Sequence, residues 1–254
     1  MSENTPEDEL DEIGHVADAI LAQIKSNTVE GVSVRDVNDA ILVAAFGRAY
    51  RCSRSIRELA GRGEADDAFV LTRSLVSIVA RALWLATPDD LTERERRFDR
   101  GRHDWAVWAA KTGRDLASQG FGFDVDPDRA QAIADRLAAR DVPDLPDDRS
   151  MLASVGLAQI YPRVHRLASD VVHFSLGSAL DSFLEWPERA GGSGGTVSLE
   201  KPDRDRAAEA LTLAMIVLAS FLEKIEPTIK HGATETARRE LVEFINKYGD
   251  HSSG

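Results

Sequence analysis

The sequence lacks most of the groups that announce a function. Its 254 residues hold one cysteine, Cys52, which excludes an internal disulfide and a cysteine-based zinc site, and with them small bridged scaffolds and zinc ribbons. Long hydrophobic runs are also missing. The strongest, Ala210 to Leu222, has 13 residues including Thr212 and Ser220, short of the roughly 20 that cross a bilayer, and reads as a core helix. Basic charge is outnumbered: 31 Lys plus Arg face 43 Asp plus Glu, a net charge of -12 that opposes non-specific binding to nucleic acid. The N-terminus carries Glu3, Glu7, Asp8, Glu9, Asp11 and Glu12 where an export signal needs basic residues and then an apolar run. The expectation is a cytoplasmic protein that engages no membrane. No HExxH, paired CxxC, GxxxxGK(S/T), GxGxxG after a strand, or GxSxG is present, so the common metalloprotease, P-loop, dinucleotide-binding and hydrolase chemistries lack their usual carriers. No metal site and no cofactor are expected.

What is present is helical. Apolar residues, 43% of the chain, recur at spacings of three and four, and period-two alternation is nearly absent. The pattern predicts an all-α bundle of about eight helices with long core helices. A first helix from about Glu7 to Lys25 places Leu10, Ile13, Val16, Ala17, Ile20, Leu21 and Ile24 on one face and acids on the other. Gly31 breaks the chain, and Ser33 with Asp36 opens a long helix that Gly61 and Gly63 end. Asp66 to Ala86 is apolar on more than one side, as expected of a helix between neighbours. Thr92 and Glu95 form a capping pattern ahead of a charged helix that fades at Gly120, and Pro127 introduces Arg129 to Arg140. DVPDLPDD then reads as a connection. Tyr161 to Leu184 reads as a central helix, Pro187 to Gly195 as a flexible loop, and the TVSLEK that follows as the only candidate strand. Asp203 to Lys230 is a last core helix, kinked or ended near Pro227, followed by a short amphipathic one from Thr234 to Tyr248. The implied organisation is an acidic N-terminal helix over 1–32, a helical core over 33–232 with a subdivision at 141–149 and a loop at 187–202, and a C-terminal helix and tail over 233–254.

The most suggestive constellation is Tyr161, His165, Arg166, Ser169, Asp170 and His173, because Arg166, Asp170 and His173 share a helix face. Such a group can hold an anion or move a proton, and it can equally be a satisfied polar network inside a bundle. Arg73, inside the apolar segment TRSLVSIVARALWL, needs a partner if buried, with Asp170 or a helix-end carbonyl as candidates. Arg166 and His173 also match the spacing of the HEPN ribonucleases, Arg, four to six residues, then His. With 25 Arg in 254 residues and six His, roughly one or two such matches are expected by chance, and His103 behind Arg96 and Arg97 matches too. The residue after Arg166 is Leu167, where those nucleases usually carry a polar group.

Charge is unevenly spread. From Arg48 to His103 there are 12 Arg against nine acids, between two acidic flanks. Arg48 to Arg62 carries five Arg at a spacing that drifts around a helix, and Arg94 to His103 carries five more just ahead of Trp105 and Trp108. Such a stretch can neutralise phosphates, with indoles for stacking. The plainer reading is a solvated face whose arginines make intramolecular ion pairs to the acidic N-terminal helix, with Trp84, Trp105 and Trp108 in core or rim packing. Cys52 lies among arginines that would lower its pKa, but a lone helix cysteine is usually a packing residue and it receives no role. His231, ahead of Gly232, reads as a helix C-terminus.

Two segments resemble an uncharacterised bacterial family of all-helical domains of unknown function: the Arg73-Ser74-Leu75 helix with its apolar run to Trp84, and the Tyr161, Ser169, His173-Phe174-Ser175 helix. The likeness spans roughly Ala40 to Leu222 and implies a helical bundle, distantly similar to the HEPN bundles of bacterial conflict systems. Where that family's Arg helix often has a Glu four residues on, this chain has Ser77. Two functions follow as expectations. The first is an interaction or ligand-sensing module, taking a protein partner or a small anionic ligand through Arg73, Tyr161, His165, Asp170 and His173. The alternative is a metal-independent HEPN-like ribonuclease with Arg166 and His173 as catalytic residues, RNA held by the Arg-rich stretch, and homodimerisation.

Overall fold

A computed structural model describes residues 6–28, 37–88, 90–140, 142–172, 184–185, 196–197 and 202–229, with Arg239 and Glu243, both helical. Within them lie eight α-helices and one short ladder, so the chain is all-α. The helices are α1 (Pro6–Thr28), α2 (Val37–Gly61), α3 (Ala65–Ala86), α4 (Leu91–Ser118), α5 (Pro127–Ala138), α6 (Asp148–Ser154), α7 (Ile160–Val172) and α8 (Arg204–Ile229). Strands β1 (Leu184–Glu185) and β2 (Thr196–Val197) pair antiparallel, Leu184 opposite Val197.

The apolar spacing dictates the packing. Leu10, Ile13, Ala17, Ile20, Leu21 and Ile24 of α1 are all buried, one stripe of an amphipathic helix laid against α8 and α2. Helix α3 is the centre: it packs on α2, α8, α7, α6 and α4, which explains why it is apolar on more than one side. Among the described residues α3 alone is long and apolar enough to cross a membrane, and 56% of that apolar window is buried against other helices. Its buried Thr72 hydroxyl donates to Ala68 O at 2.9 Å within the helix and to Ala210 O at 3.3 Å across to α8. Ser77 Oγ donates to Asp148 Oδ2, tying α3 to α6. The outer half of α4 builds a satellite core with α5 from Ala109, Ala110 and Ala130, flanked by Phe123 and Val125. Gly113 lets the two approach, since a Cβ there would meet Phe123 Cδ1 at 3.1 Å and Pro127 at 3.2 Å.

Aspartate begins four of the helices. Asp90 accepts from Thr92 N (2.9 Å), Asp126 from Asp128 N and Arg129 N, Asp147 from Ser150 N (2.7 Å) and Asp203 from Arg206 N (3.1 Å). Each satisfies orphan amides of a first turn and places negative charge at the positive helix end. The hydrogen bonds from Ser150 hold the Asp147 carboxyl below its ordinary value.

Several boundaries differ from the sequence expectation. The cap of α4 is Asp90, not Thr92, because the Thr92–Glu95 pattern falls inside the first turn. Part of the DVPDLPDD connection caps and starts α6, a helix too short to show periodicity. The helix expected from Tyr161 to Leu184 is α7 only to Val172; 173–183 lie outside the described residues, and Leu184 is in β1, its backbone paired with β-branched Thr196 and Val197. The strand expected in TVSLEK is β2. Helix α8 ends just past Pro227. Gly31, Ser33, the 187–195 loop and His231 lie outside the described residues, as does all of the C-terminal helix except Arg239 and Glu243.

Ser53 of α2 is fully buried and its Oγ has no hydrogen-bond partner among the described residues. A buried hydroxyl left unpaired costs free energy that alanine, also the better helix former, does not. Ser53→Ala therefore raises the unfolding free energy by about 1 kcal/mol in urea denaturation, whereas a loss of stability would mean that the hydroxyl is paired.

Candidate functional site

The basic stretch divides in two by what its arginines touch. One set is consumed inside the protein. Arg57 Nε donates to Gly14 O at 3.1 Å and its Nη2 to Asp18 Oδ2 at 2.9 Å, so α1 docks over this residue. The contact needs Gly14, since a Cβ there would lie 2.7 Å from Arg57 Nη2. Arg94 donates twice to Pro88 O, at 3.0 and 2.7 Å. Arg97 binds Glu93 at 2.8 Å, donates to Trp84 O at 2.9 Å and lies over the Trp84 ring at 5.0 Å. Arg96 takes the other Glu93 oxygen at 3.0 Å. Arg57 thus fastens α1 to α2, and Arg94 and Arg97 fasten the start of α4 to the end of α3, with Arg96 bracing Glu93 within α4. The expected pairing with the acidic first helix is met by Arg57 and Asp18, whereas Arg94, Arg96 and Arg97 find their partners locally.

The other set faces a cleft of about 660 Å³ between α2, α3 and α4. Its lining follows helical spacing: Ile41 and Arg48 lie seven apart on α2, Arg81 and Leu85 four apart on α3, and Phe98, Arg102, Trp105 and Trp108 form a stripe on α4. Gly101 brings α4 close to α3, where a Cβ would meet Leu85 Cδ2 at 3.3 Å. Leu145, from the α5–α6 connection, closes one side.

The electrostatics of this cleft are one-sided. Arg48 and Arg81 are exposed, and no ion pair joins either to a described carboxylate. Arg102 lies 3.7 Å from Asp99 Oδ1 and 5.7 Å from the Phe98 ring centroid, but the close partner of Asp99 is Arg140 at 2.7 Å. The one lining carboxylate, Asp104, is already engaged by Arg100 at 3.0 Å and sits 3.5 Å from His103 Nδ1. Three guanidiniums from three helices thus face one opening with little compensating charge. Of the tryptophans expected in core or rim packing, Trp84, 4% exposed, is in the core, while Trp105 and Trp108, 47% and 55% exposed, stand at the rim. An edge contact with Phe123, centroids 6.0 Å apart, holds the Trp108 ring. The chemistry available is anion binding beside an aromatic surface.

The residues singled out in the sequence are placed as follows. Arg73 is half-buried on α3, with no hydrogen bond or ion pair among the described residues, and the side chain of its expected partner Asp170 lies outside them. Tyr161 and His165 stack on α7, centroids 4.6 Å apart and 29° between planes. Arg166 and Asp170 lie in α7, their side chains outside the described residues, as is all of His173. Cys52 is half-buried and its Sγ donates to Leu71 O at 3.3 Å. Burial pushes its thiol up, outweighing the downward pull of Arg48, so the expected lowering by arginines is overturned. Partial burial likewise lifts the Glu209 carboxyl, against Arg206 and Arg163. Among the described residues no group of three His, Cys, Asp or Glu is placed to hold a metal ion.

No curated protein and no solved structure matches the chain. A family model described as a family of unknown function, DUF5677, matches residues 39–191, a span that contains every residue lining the cleft, and the chain belongs to that family.

Proposed function

We propose that the protein is a ligand-sensing module whose α2–α3–α4 cleft takes a small anionic ligand. The observation that carries this reading is the convergence of Arg48, Arg81 and Arg102 on one opening, two of them without a carboxylate partner among the described residues, while Arg57 and Arg97 are consumed in fastening helices. Planar guanidiniums grip phosphate or carboxylate groups in bidentate fashion, and exposed, uncompensated ones form such a contact at the least desolvation cost. The chain as a whole, net charge -12, repels long polyanions and leaves the cleft to small ones. The polar cluster of Arg73, Asp170 and His173 and the ribonuclease reading of Arg166 and His173 have no support from the described side chains.

The test is thermal unfolding with increasing inorganic pyrophosphate. A ligand that binds only the folded state stabilises it by mass action, about 2.7 kcal/mol at a hundred times Kd. The wild type gains several degrees at millimolar pyrophosphate, and Arg48→Gln/Arg81→Gln gains none. An equal gain in both proteins would place the anion elsewhere and defeat the reading.

A further inference from the structure

Arginines alone do not account for this cleft, because three of the four residues in the α4 stripe are aromatic. Trp105 and Trp108 stand one helical turn apart, about half exposed, beside the guanidiniums. Large indoles are costly to leave in water, and on a helix rich in charge their exposure side by side calls for a flat, apolar partner. The contact with Phe123 fixes one ring in advance, so little side-chain entropy is lost on stacking. A volume of about 660 Å³ lies within the range of small-molecule sites.

We propose, resting on the anion-cleft reading above, that the ligand is a free nucleotide, with its phosphates against Arg48 and Arg81 and its base on the indoles of Trp105 and Trp108. A nucleotide joins the two chemistries the cleft offers, dispersed negative charge and a planar ring. A nucleic acid strand would need a basic track leading out of the site. Beyond the cleft Arg57 is bound to Asp18, Arg97 to Glu93, Arg100 to Asp104 and Arg140 to Asp99, so of the neighbouring cations only exposed Arg51 and Lys111 stand without an ion pair or hydrogen bond among the described residues, too few for a continuous track.

Calorimetric titration of the full chain with ADP, with inorganic pyrophosphate and with a short single-stranded oligouridylate tests this. ADP binds the wild type at least about tenfold tighter than pyrophosphate, the margin that stacking on an indole supplies. Trp105→Ala/Trp108→Ala removes that margin and leaves pyrophosphate within about twofold of wild type, while Arg48→Gln/Arg81→Gln weakens both ligands by at least about tenfold. Equal affinity of the wild type for ADP and pyrophosphate overturns the nucleotide inference and leaves the anion cleft standing. No binding of either overturns both. Oligouridylate binding more than about tenfold tighter than ADP overturns the assignment of a free nucleotide in favour of a strand. ADP binding unchanged in both double variants places the nucleotide outside the cleft and equally overturns the proposal. The comparison of ligands on the wild type needs no variant to fold.

Discussion

Phe221→Ala lowers the unfolding free energy by about 4 kcal/mol, a large share of the 5–15 kcal/mol typical of a whole domain. Phe221 is fully buried on α8, its ring centroid 6.4 Å from that of Phe46 on α2, tilted by 57°. The pair occupies the seam where α2 and α8 meet, and both helices also pack on α3. Truncation loses the transfer free energy of a ring and leaves a cavity that three rigid helices cannot close. Urea denaturation followed by helical circular dichroism reads the loss as a lower midpoint. Phe121→Ala is the control: at 63% exposure in the loop after α4, it changes stability by less than about 0.5 kcal/mol. A loss below about 1.5 kcal/mol at Phe221 would contradict the packing described at this seam.

Gly63→Ala costs about 3 kcal/mol, from two sources that a second variant separates. Gly63 joins α2 to α3 with φ of +75°, in the left-handed region that a side chain disfavours. A Cβ there would also lie 2.6 Å from Pro202 Cβ and 3.0 Å from Pro202 Cα. The approach is close because Gly63 O accepts from Asp203 N at 2.9 Å, and Asp203 in turn caps α8. Any Cβ therefore displaces the start of α8 from the α2–α3 turn. Gly120 has a similar φ of +80° but nothing near its would-be Cβ. Gly120→Ala should show the backbone cost alone, about 1 kcal/mol, in the same denaturation assay. Equal losses at the two glycines would mean that the α2–α3 turn does not clamp α8.

Much of the fold was legible because its signals are local. Pro127 stands at the first position of α5 behind its Asp126 cap, and the stripe from Leu10 to Ile24 is buried as spaced. Signals that depend on a distant partner were not. Leu184 looked like the tail of an apolar helix because the strand that pairs with it lies a loop away at Val197. Helix α6 spans only seven residues after a proline-punctuated connection, too few for a period. The cleft was partly visible. The arginines of α2 do drift: Arg48 and Arg57 are nine residues apart, and at about 100° per residue they point to opposite sides, one to the cleft and one to α1. Arg81 escaped notice, although a signal existed. Neither Arg48 nor Arg81 has an acid three or four residues away on its helix, whereas Arg54, Arg97, Arg100 and Arg102 have Glu58, Glu93, Asp104 and Asp99 there. Arg51, Arg57 and Arg73 share that lack, and Arg57 is taken by Asp18 of α1, so the spacing marks candidates among which only the fold selects.

The division between fastening and cleft arginines is the centre of the account, and one comparison tests it most directly: calorimetric titration of inorganic pyrophosphate into three proteins, the wild type, Arg48→Gln/Arg81→Gln and Arg54→Gln/Arg62→Gln. The last pair removes the same charge from exposed positions on the α2 side that already pair with Glu58 and Glu64. The account predicts that the Arg54 and Arg62 variant binds within about twofold of wild type, while the Arg48 and Arg81 variant binds at least about tenfold more weakly. Equal weakening in both variants would mean that pyrophosphate responds only to overall charge, and would contradict a site between α2, α3 and α4.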